Sequence, residues 1–301
     1  MSSESVAPAP PCPAPPCPGP QPIQRGPTRY ALPAGAVDAH AHVIGSPPDH
    51  PFVPHRSYTP PPAPEAAYLA MLDATGLAFG VLIQVSVHGV DNRLMLASLR
   101  AHPARLRGVA VVDPTADERK LTALKEAGVV GLRLNVLYGG GVGLESLDRY
   151  EAICRDLGWH LQFLIDARAL PDFAGRLSRL RTPVVIDHMG HFPTTEGLGS
   201  PGFQSLLGLV RDGAYVKLQG AFRCSVEGPP YADTIPFACA LNDAAPTRSI
   251  WGSDWPHVSN WGPQPNTGDL LDLMADWVPD AERRRLLFVE NPAGLYGFPP
   301  A

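Results

Sequence analysis

The sequence predicts an α/β fold: a single (β/α)8 barrel of the TIM type, preceded by a disordered proline-rich arm. Three observations carry that expectation. Eight short apolar runs read as buried strands, segments of helical periodicity separate them, and no G-x-G-x-x-G follows the first run to support a dinucleotide-binding sheet. Eight buried strands alternating with helices close most simply into a barrel, with an open doubly wound sheet as the alternative topology.

The arm is residues 1–28, "MSSESVAPAPPCPAPPCPGPQPIQRGPT", rich in proline and almost without large apolar side chains. Such a stretch buries too little surface to offset its ordering entropy, so it is read as a disordered or polyproline arm and the barrel is expected to span residues 29–301. Strands are expected at 36–42 ("AVDAHAH"), 79–86 ("FGVLIQVS"), 107–113 ("RGVAVVD") and 129–135 ("VVGLRLN"). Four more follow at 159–166 ("WHLQFLID"), 183–188 ("PVVIDH"), 214–220 ("AYVKLQG") and 248–254 ("RSIWGSD"). Helices lie between them, as in "PEAAYLAMLDATG", "DNRLMLASLRAHP" and "DERKLTALKEAG". The last opens with acids, which favour a helix N-terminus, and closes on a glycine C-cap signal.

Composition narrows the function classes. A chain of 301 residues, 45% hydrophobic and 18% charged, has ample material for one such core. Its net charge of −5 offers no case for nucleic acid or an anionic membrane, which call for basic patches. No apolar run approaches the roughly 20 residues that cross a bilayer, and the N-terminus lacks a secretory pattern. Cys12, Cys17, Cys154, Cys224 and Cys239 are scattered and form no C-x-x-C pair. A reducing cytoplasm is therefore expected. The sequence leaves room for a homo-oligomer.

The chemistry of such barrels sits at the C-terminal strand ends. "VDAHAHV" places His40 and His42 there, two apart and therefore on one face of the first strand. Ser86 and His88 follow the second strand, Asp113 the third, Arg133 and Asn135 the fourth, and Gln162 and Asp166 the fifth. His188 ends the sixth, Arg223 lies just past the seventh, and Asp254 ends the eighth inside "WGSDWPH". This is far more polarity than a packed barrel needs, and two buried imidazoles are costly without a task. Strict alternation places Asp187 opposite to His188, facing the helix layer or anchoring backbone, in a structural role. Arg133 is read either as a substrate clamp or as the ion-pair partner of Asp113 or Asp166. His160 falls about 20 Å from Asp166 along the strand, at the end away from the chemistry.

These residues resemble the amidohydrolase superfamily, which carries HxH on strand 1, histidine on strand 6 and aspartate on strand 8. The nearer resemblance is to its 2-pyrone-4,6-dicarboxylate lactonase group, through "DAHAHVIG", "RSYTP", "VSVHGVDN", "GLRLN", "VVIDHMG" and "WGSDWPH". That resemblance covers the chain apart from the arm. It implies the same barrel and the opening of a small carboxylated lactone. Asp254 would act as base, His40, His42 and His188 would polarise the carbonyl, and Tyr58, Ser86, Arg133 and Arg223 would bind substrate. Members acting on the pyrone carry further arginines after the strand-4 "RxN" and after "DHMG"; here those places read "VLYGG" and His191. A substrate with two carboxylates is correspondingly less well matched.

His40, His42, His188 and Asp254 form an N3O set suited to one catalytic divalent metal, zinc by ligand type, with a position left for water. No lysine ends strand 4 and no histidine ends strand 5, so a binuclear centre is not expected. The lactonase group includes members that work without metal, so the cofactor is either none or a single divalent ion. Alternative activities on the same barrel are zinc-dependent decarboxylation of an aromatic acid and lactone isomerisation, and a non-enzymatic binding barrel is the remaining reading.

Overall fold

A computed structural model describes residues 14–139 and 141–299. Its eight strands form one parallel sheet in the order β1 to β8: Val37–Ala41, Phe79–Ile83, Leu106–Ala110, Val129–Asn135, His160–Leu164, Val184–Ile186, Tyr215–Lys217 and Ser249–Ile250. β8 is only two residues long, yet the barrel closes, because the chain beyond it keeps pairing with β1. Ala39 N donates to Trp251 O at 2.9 Å, Asp254 N to His40 O at 2.8 Å and His42 N to Trp255 O at 2.8 Å. The open-sheet alternative is thereby set aside.

Helices cover the outside: α1 (Glu65–Thr75), α2 (Arg93–Ala101), α3 (Glu118–Glu126), α4 (Leu147–Leu157), α5 (Leu170–Leu177) and α6 (Pro201–Arg211). A single turn, α7 (Ala221–Cys224), and α8 (Ile235–Ala244) follow. The cap chemistry is local. Asp117 accepts from Lys120 N at 2.8 Å and so opens α3. Gly158 ends α4 with φ 72°, a conformation that costs glycine little.

Two hydrophobic layers result. Outward strand residues and the helices share the larger one, with Leu82, Leu132, Leu134, Leu161, Phe163 and Ile186 among its members. Inside the barrel, Val37, Ala39, Val81, Ile83, Val109, Val185 and Ile250 form a plug. Tyr296 and Phe298 of the C-terminal segment join it. The plug leaves only the C-terminal strand ends for polar chemistry.

The arm departs from expectation. Residues 1–13 lie outside the described residues. Residues 14–28, expected to be solvated, run along the barrel. Cys17 is buried and donates its N–H to Thr59 O at 3.0 Å, Thr59 N donates to Pro15 O at 2.8 Å, and Trp261 Nε1 donates to Pro16 O at 2.9 Å. Further along, Arg25 pairs with Asp269 and Asp272, and Asn266 donates to Ile23 O. Proline lacks a donor but keeps its carbonyl, so Pro15 and Pro16 are held through acceptors that composition does not reveal.

Candidate active site

A β-bulge aims the two histidines. Asp38 pairs with Gly80 but Ala41 with Leu82, so three steps along β1 face two along β2. Ala39 therefore packs in the plug and Ala41 in the outer layer, while His40 and His42 both turn inward. Asp38 fixes this kink. Its Oδ1 accepts from His40 N (3.1 Å) and Ser253 N (2.7 Å), and its Oδ2 from Ser253 Oγ (2.6 Å) and Tyr68 Oη (3.1 Å). Burial pushes the Asp38 carboxyl up to about 6 against these four donors. Gly252 is required beside the kink, since a Cβ there would lie 2.2 Å from Gln219 Oε1 and 2.6 Å from His40 Cβ.

Asp254 is the centre of the site. It is fully buried in a left-handed conformation (φ 59°), with Oδ1 3.7 Å from His40 Nε2 and 3.8 Å from His42 Nε2. Its Oδ2 accepts from Arg223 Nε at 2.6 Å, while Oδ1 has no hydrogen-bond partner. Burial raises the Asp254 carboxyl above the usual range and the Arg223 charge opposes that rise. His42 Nδ1 lies 2.7 Å from Ile83 O. A carbonyl only accepts, so this partner assigns the proton to Nδ1 and a lone pair to Nε2. Burial first, and Arg133 next, push the His42 imidazole down to about 3. His188 is also buried, with Nδ1 2.8 Å from Gln219 Nε2 and 3.8 Å from Asp254 Oδ2, and burial holds it well below the usual histidine value.

Two sequence expectations are corrected here. Asp187 does not face the helices. Val185 packs inward, so Asp187 also does by simple alternation, and His188 then breaks the strand with φ 52° and returns to the same space. Both consecutive residues thus belong to the site. Second, Arg133 pairs with neither Asp113 nor Asp166, which bond their own local neighbours Thr115 and Arg168. Its Nε donates to Asp187 Oδ2 at 3.1 Å. Its two Nη atoms have no protein partner among the described residues, and it lines the cleft.

Arg223, expected to grip substrate, lines the same cleft and is also bonded to protein groups. Beyond Asp254, its Nη2 donates to Val258 O at 2.9 Å, and Nη1 lies 3.5 Å from Tyr138 Oη. Tyr58 and Ser86 line the same cleft, their hydroxyls 3.2 Å apart. His88 does not reach it, bonding Gly45 N and packing on Phe52. His160 lies at the opposite end of its strand, against Tyr296, as its position implied.

Sequence reasoning missed three residues. Lys217, fully buried on β7, has Nζ 2.9 Å from Ala39 O, 2.9 Å from Gln162 Oε1, 3.1 Å from His40 Nδ1 and 3.3 Å from Asp187 Oδ1. Burial lowers it to about 8 despite the Asp187 charge. Burial would raise Asp187, but Lys217, His40 and Arg133 outweigh it and hold that carboxylate well below its usual range. A charged residue at an inward position of "YVKLQG" was the available signal. Gln219 shared it. Tyr138 had none, because it lies in a loop; its Oη is 3.2 Å from His191 Nε2.

One ring nitrogen from each of His40 and His42 and one oxygen of Asp254 lie within 4.8 Å of one another. The free Asp254 Oδ1 and unbonded His40 Nε2 suit a divalent ion. His188 groups with His40 and Asp187, and its Nδ1 lies 3.8 Å from Asp254 Oδ2.

A barrel that gathers HxH, a further histidine and an unpartnered aspartate oxygen above an apolar plug defines a hydrolytic site of the amidohydrolase type. Residues 37–298 match the amidohydrolase family, and the chain belongs to it. It is an enzyme, a hydrolase of that family. It is 37% identical over 277 residues to the 4-sulfomuconolactone hydrolase of Rhizobium radiobacter, covering 90% of this chain and 93% of that protein. It is 36% identical over 280 residues to the 2-pyrone-4,6-dicarboxylate hydrolase of Comamonas testosteroni, covering 89% and 92%. The crystal structure of a probable 2-pyrone-4,6-dicarboxylic acid hydrolase from Acinetobacter baumannii, with citric acid bound, superposes with a TM-score of 0.79 at 27% identity, over 88% of this chain and 100% of that one. Among the described residues, no helix is long and apolar enough to cross a membrane, and Cys17, Cys154, Cys224 and Cys239 are free thiols.

Proposed function

We propose that the chain opens a small carboxylated lactone by hydrolysis, with Asp254 as the general base. The observation that carries this reading is the bare Oδ1 of a fully buried carboxylate, facing two imidazole nitrogens in the cleft that Arg133 lines. Arg223 occupies Oδ2 and fixes the carboxylate plane, so one oxygen is oriented to take a proton. Water held by Asp254 Oδ1 and the His42 Nε2 lone pair loses a proton to Asp254, and its oxygen adds to the lactone carbonyl. The carbonyl pair moves onto oxygen, where imidazole donors stabilise the tetrahedral oxyanion. Collapse breaks the ring C–O bond, and Asp254 returns the proton to the departing ring oxygen, giving the hydroxy acid. A divalent metal held by His40, His42 and Asp254 would add Lewis-acid polarisation and a more acidic water.

Arg133 defines the substrate class. The relatives' names describe anionic lactones, one sulfonated and one a dicarboxylate. At the two places where pyrone-dicarboxylate enzymes carry arginines, this chain has the loop that holds Tyr138, and His191. Burial pushes His191 down to about 4, so this imidazole is neutral at pH 7. One guanidinium whose two Nη atoms remain available beside its Asp187 pairing then suits a lactone with one anionic group better than a dicarboxylate.

The test is ring opening, followed by absorbance, across mono- and dicarboxylated lactones and their methyl esters. Preference for a monocarboxylated lactone supports the reading. A chain that hydrolyses none of the acids, while turning over neutral esters, overturns it.

A further inference from the structure

Lys217 takes no part in the steps above, yet it is buried against their central histidine. An ammonium has three protons and no lone pair, so each of its polar neighbours must accept. The Ala39 carbonyl and Gln162 Oε1 take two protons at 2.9 Å each. The orientation of Gln162 is fixed independently, because its amide nitrogen donates to Asp187 Oδ2 at 3.0 Å. The third proton has two candidate acceptors. His40 Nδ1 is nearer at 3.1 Å and makes a hydrogen bond, whereas Asp187 Oδ1 lies at 3.3 Å and makes none.

We infer that Lys217 is a positioning residue that sets the tautomer of His40. Donation from the ammonium to Nδ1 leaves the neutral imidazole's proton on Nε2, which points toward Asp254. The Ile83 carbonyl imposes the opposite tautomer on His42. Two histidines one residue apart therefore carry opposite tasks: His42 offers a lone pair to water, and His40 offers a proton to the developing oxyanion. The same arrangement opposes metal binding. To ligate through Nε2, His40 must move its proton to Nδ1 and donate it to Asp187 Oδ1, 3.3 Å away, displacing the Lys217 contact. Lys217 and Asp187 thus compete for one ring nitrogen. Only the effect on turnover depends on the lactonase reading; the tautomer does not.

The test uses histidine-15N-labelled, chelator-treated full-length protein and long-range 1H–15N spectra, with His40 and His42 assigned through His40→Gln and His42→Gln. His40 is expected to show a bare Nδ1 and a protonated Nε2, and His42 the reverse. In Lys217→Met, His40 should move its proton to Nδ1, and zinc affinity, read by competition with a chromophoric chelator, should rise at least about tenfold. Asp187→Asn should keep the wild-type His40 tautomer without gaining zinc affinity. A wild-type His40 protonated at Nδ1, or an unchanged tautomer in Lys217→Met, overturns the proposal. If Lys217→Met fails to fold, the wild-type spectrum and Asp187→Asn still decide it. Correct tautomers in a protein that opens no carboxylated lactone would sink the function and spare this inference.

Discussion

Arg223 Nε lies 2.6 Å from Asp254 Oδ2 and leaves Oδ1 without a partner. The pairing opposes the protonation that burial favours, without occupying the oxygen that must take a proton. Asp254→Asn is expected to cut kcat by at least about 10², the usual scale for losing acid–base help. Calorimetric binding of a ring-opened product analogue should persist. Wild-type turnover in this variant would remove Asp254 from the mechanism.

Arg133→Met separates the clamp from its structural pairing. KM for a monocarboxylated lactone should rise at least about tenfold, because a charge-assisted hydrogen bond contributes roughly 1.5–3 kcal/mol. KM for the matching methyl ester should change little. Some stability will be lost as well, since Asp187 forfeits one donor while keeping the Gln162 donor and the nearby Lys217 charge. The ratio of acid to ester KM is the deciding measurement, and equal loss on both substrates would return Arg133 to a purely structural role.

Acid stability has a predictable sign. Burial pushes His160 and His257 down to about 3 and His191 to about 4. Each is neutral when folded but titrates near 6.5 when unfolded, so the unfolded chain binds more protons below that pH. Their stabilisation is complete above about pH 6.5 and declines toward pH 4, by up to about 1.4 kcal/mol per pH unit per group. Asp38, raised to about 6, works in the opposite sense, contributing fully below about pH 4 and losing its contribution as pH rises through 6. His40, His42 and His188, also lowered by burial, act with these three, and Asp254, raised by burial, acts with Asp38; the imidazoles prevail, so Tm should fall from pH 7 to pH 5. His160→Asn should flatten that slope, and a slope left unchanged would contradict the assignment.

Deleting residues 1–28 tests the ordered arm. Removal exposes the surface beneath Cys17 and unpairs Asp269 and Asp272 from Arg25. A loss of a few kcal/mol corresponds to about 2–4 °C of Tm for each kcal/mol in a chain of this size. Calorimetry should therefore show a fall of at least about 4 °C; an unchanged Tm would mean that the contacts contribute nothing.

The barrel was legible because buried strands and helices differ in period, and the HxH pair because residues two apart share a strand face. What failed was alternation at the strand ends. Counting by twos put Asp187 outside, since nothing in "VVIDHMG" announces that His188 turns to φ 52°. His40 reached the inward face only through a bulge, which counting does not detect. Lys217 was readable in principle, as a lone charge at an inward position of a buried run. The partner of Arg133 was not, because it comes from a strand 54 residues away.

The extra residue at Ala39 gives β1 the behaviour of a reading frame. Upstream of it, Val37 belongs to the plug; downstream, His40 and His42 belong to the cleft, and Ala41 to the outer layer. Deleting one residue there would alter little in size or polarity, yet it would exchange the two registers, sending both imidazoles into the helix layer and Ala41 into the cleft. Insertions and deletions elsewhere in the chain fall mostly on loops that can absorb them. At this point of β1, one codon separates a cleft that holds imidazoles from one lined by a methyl group.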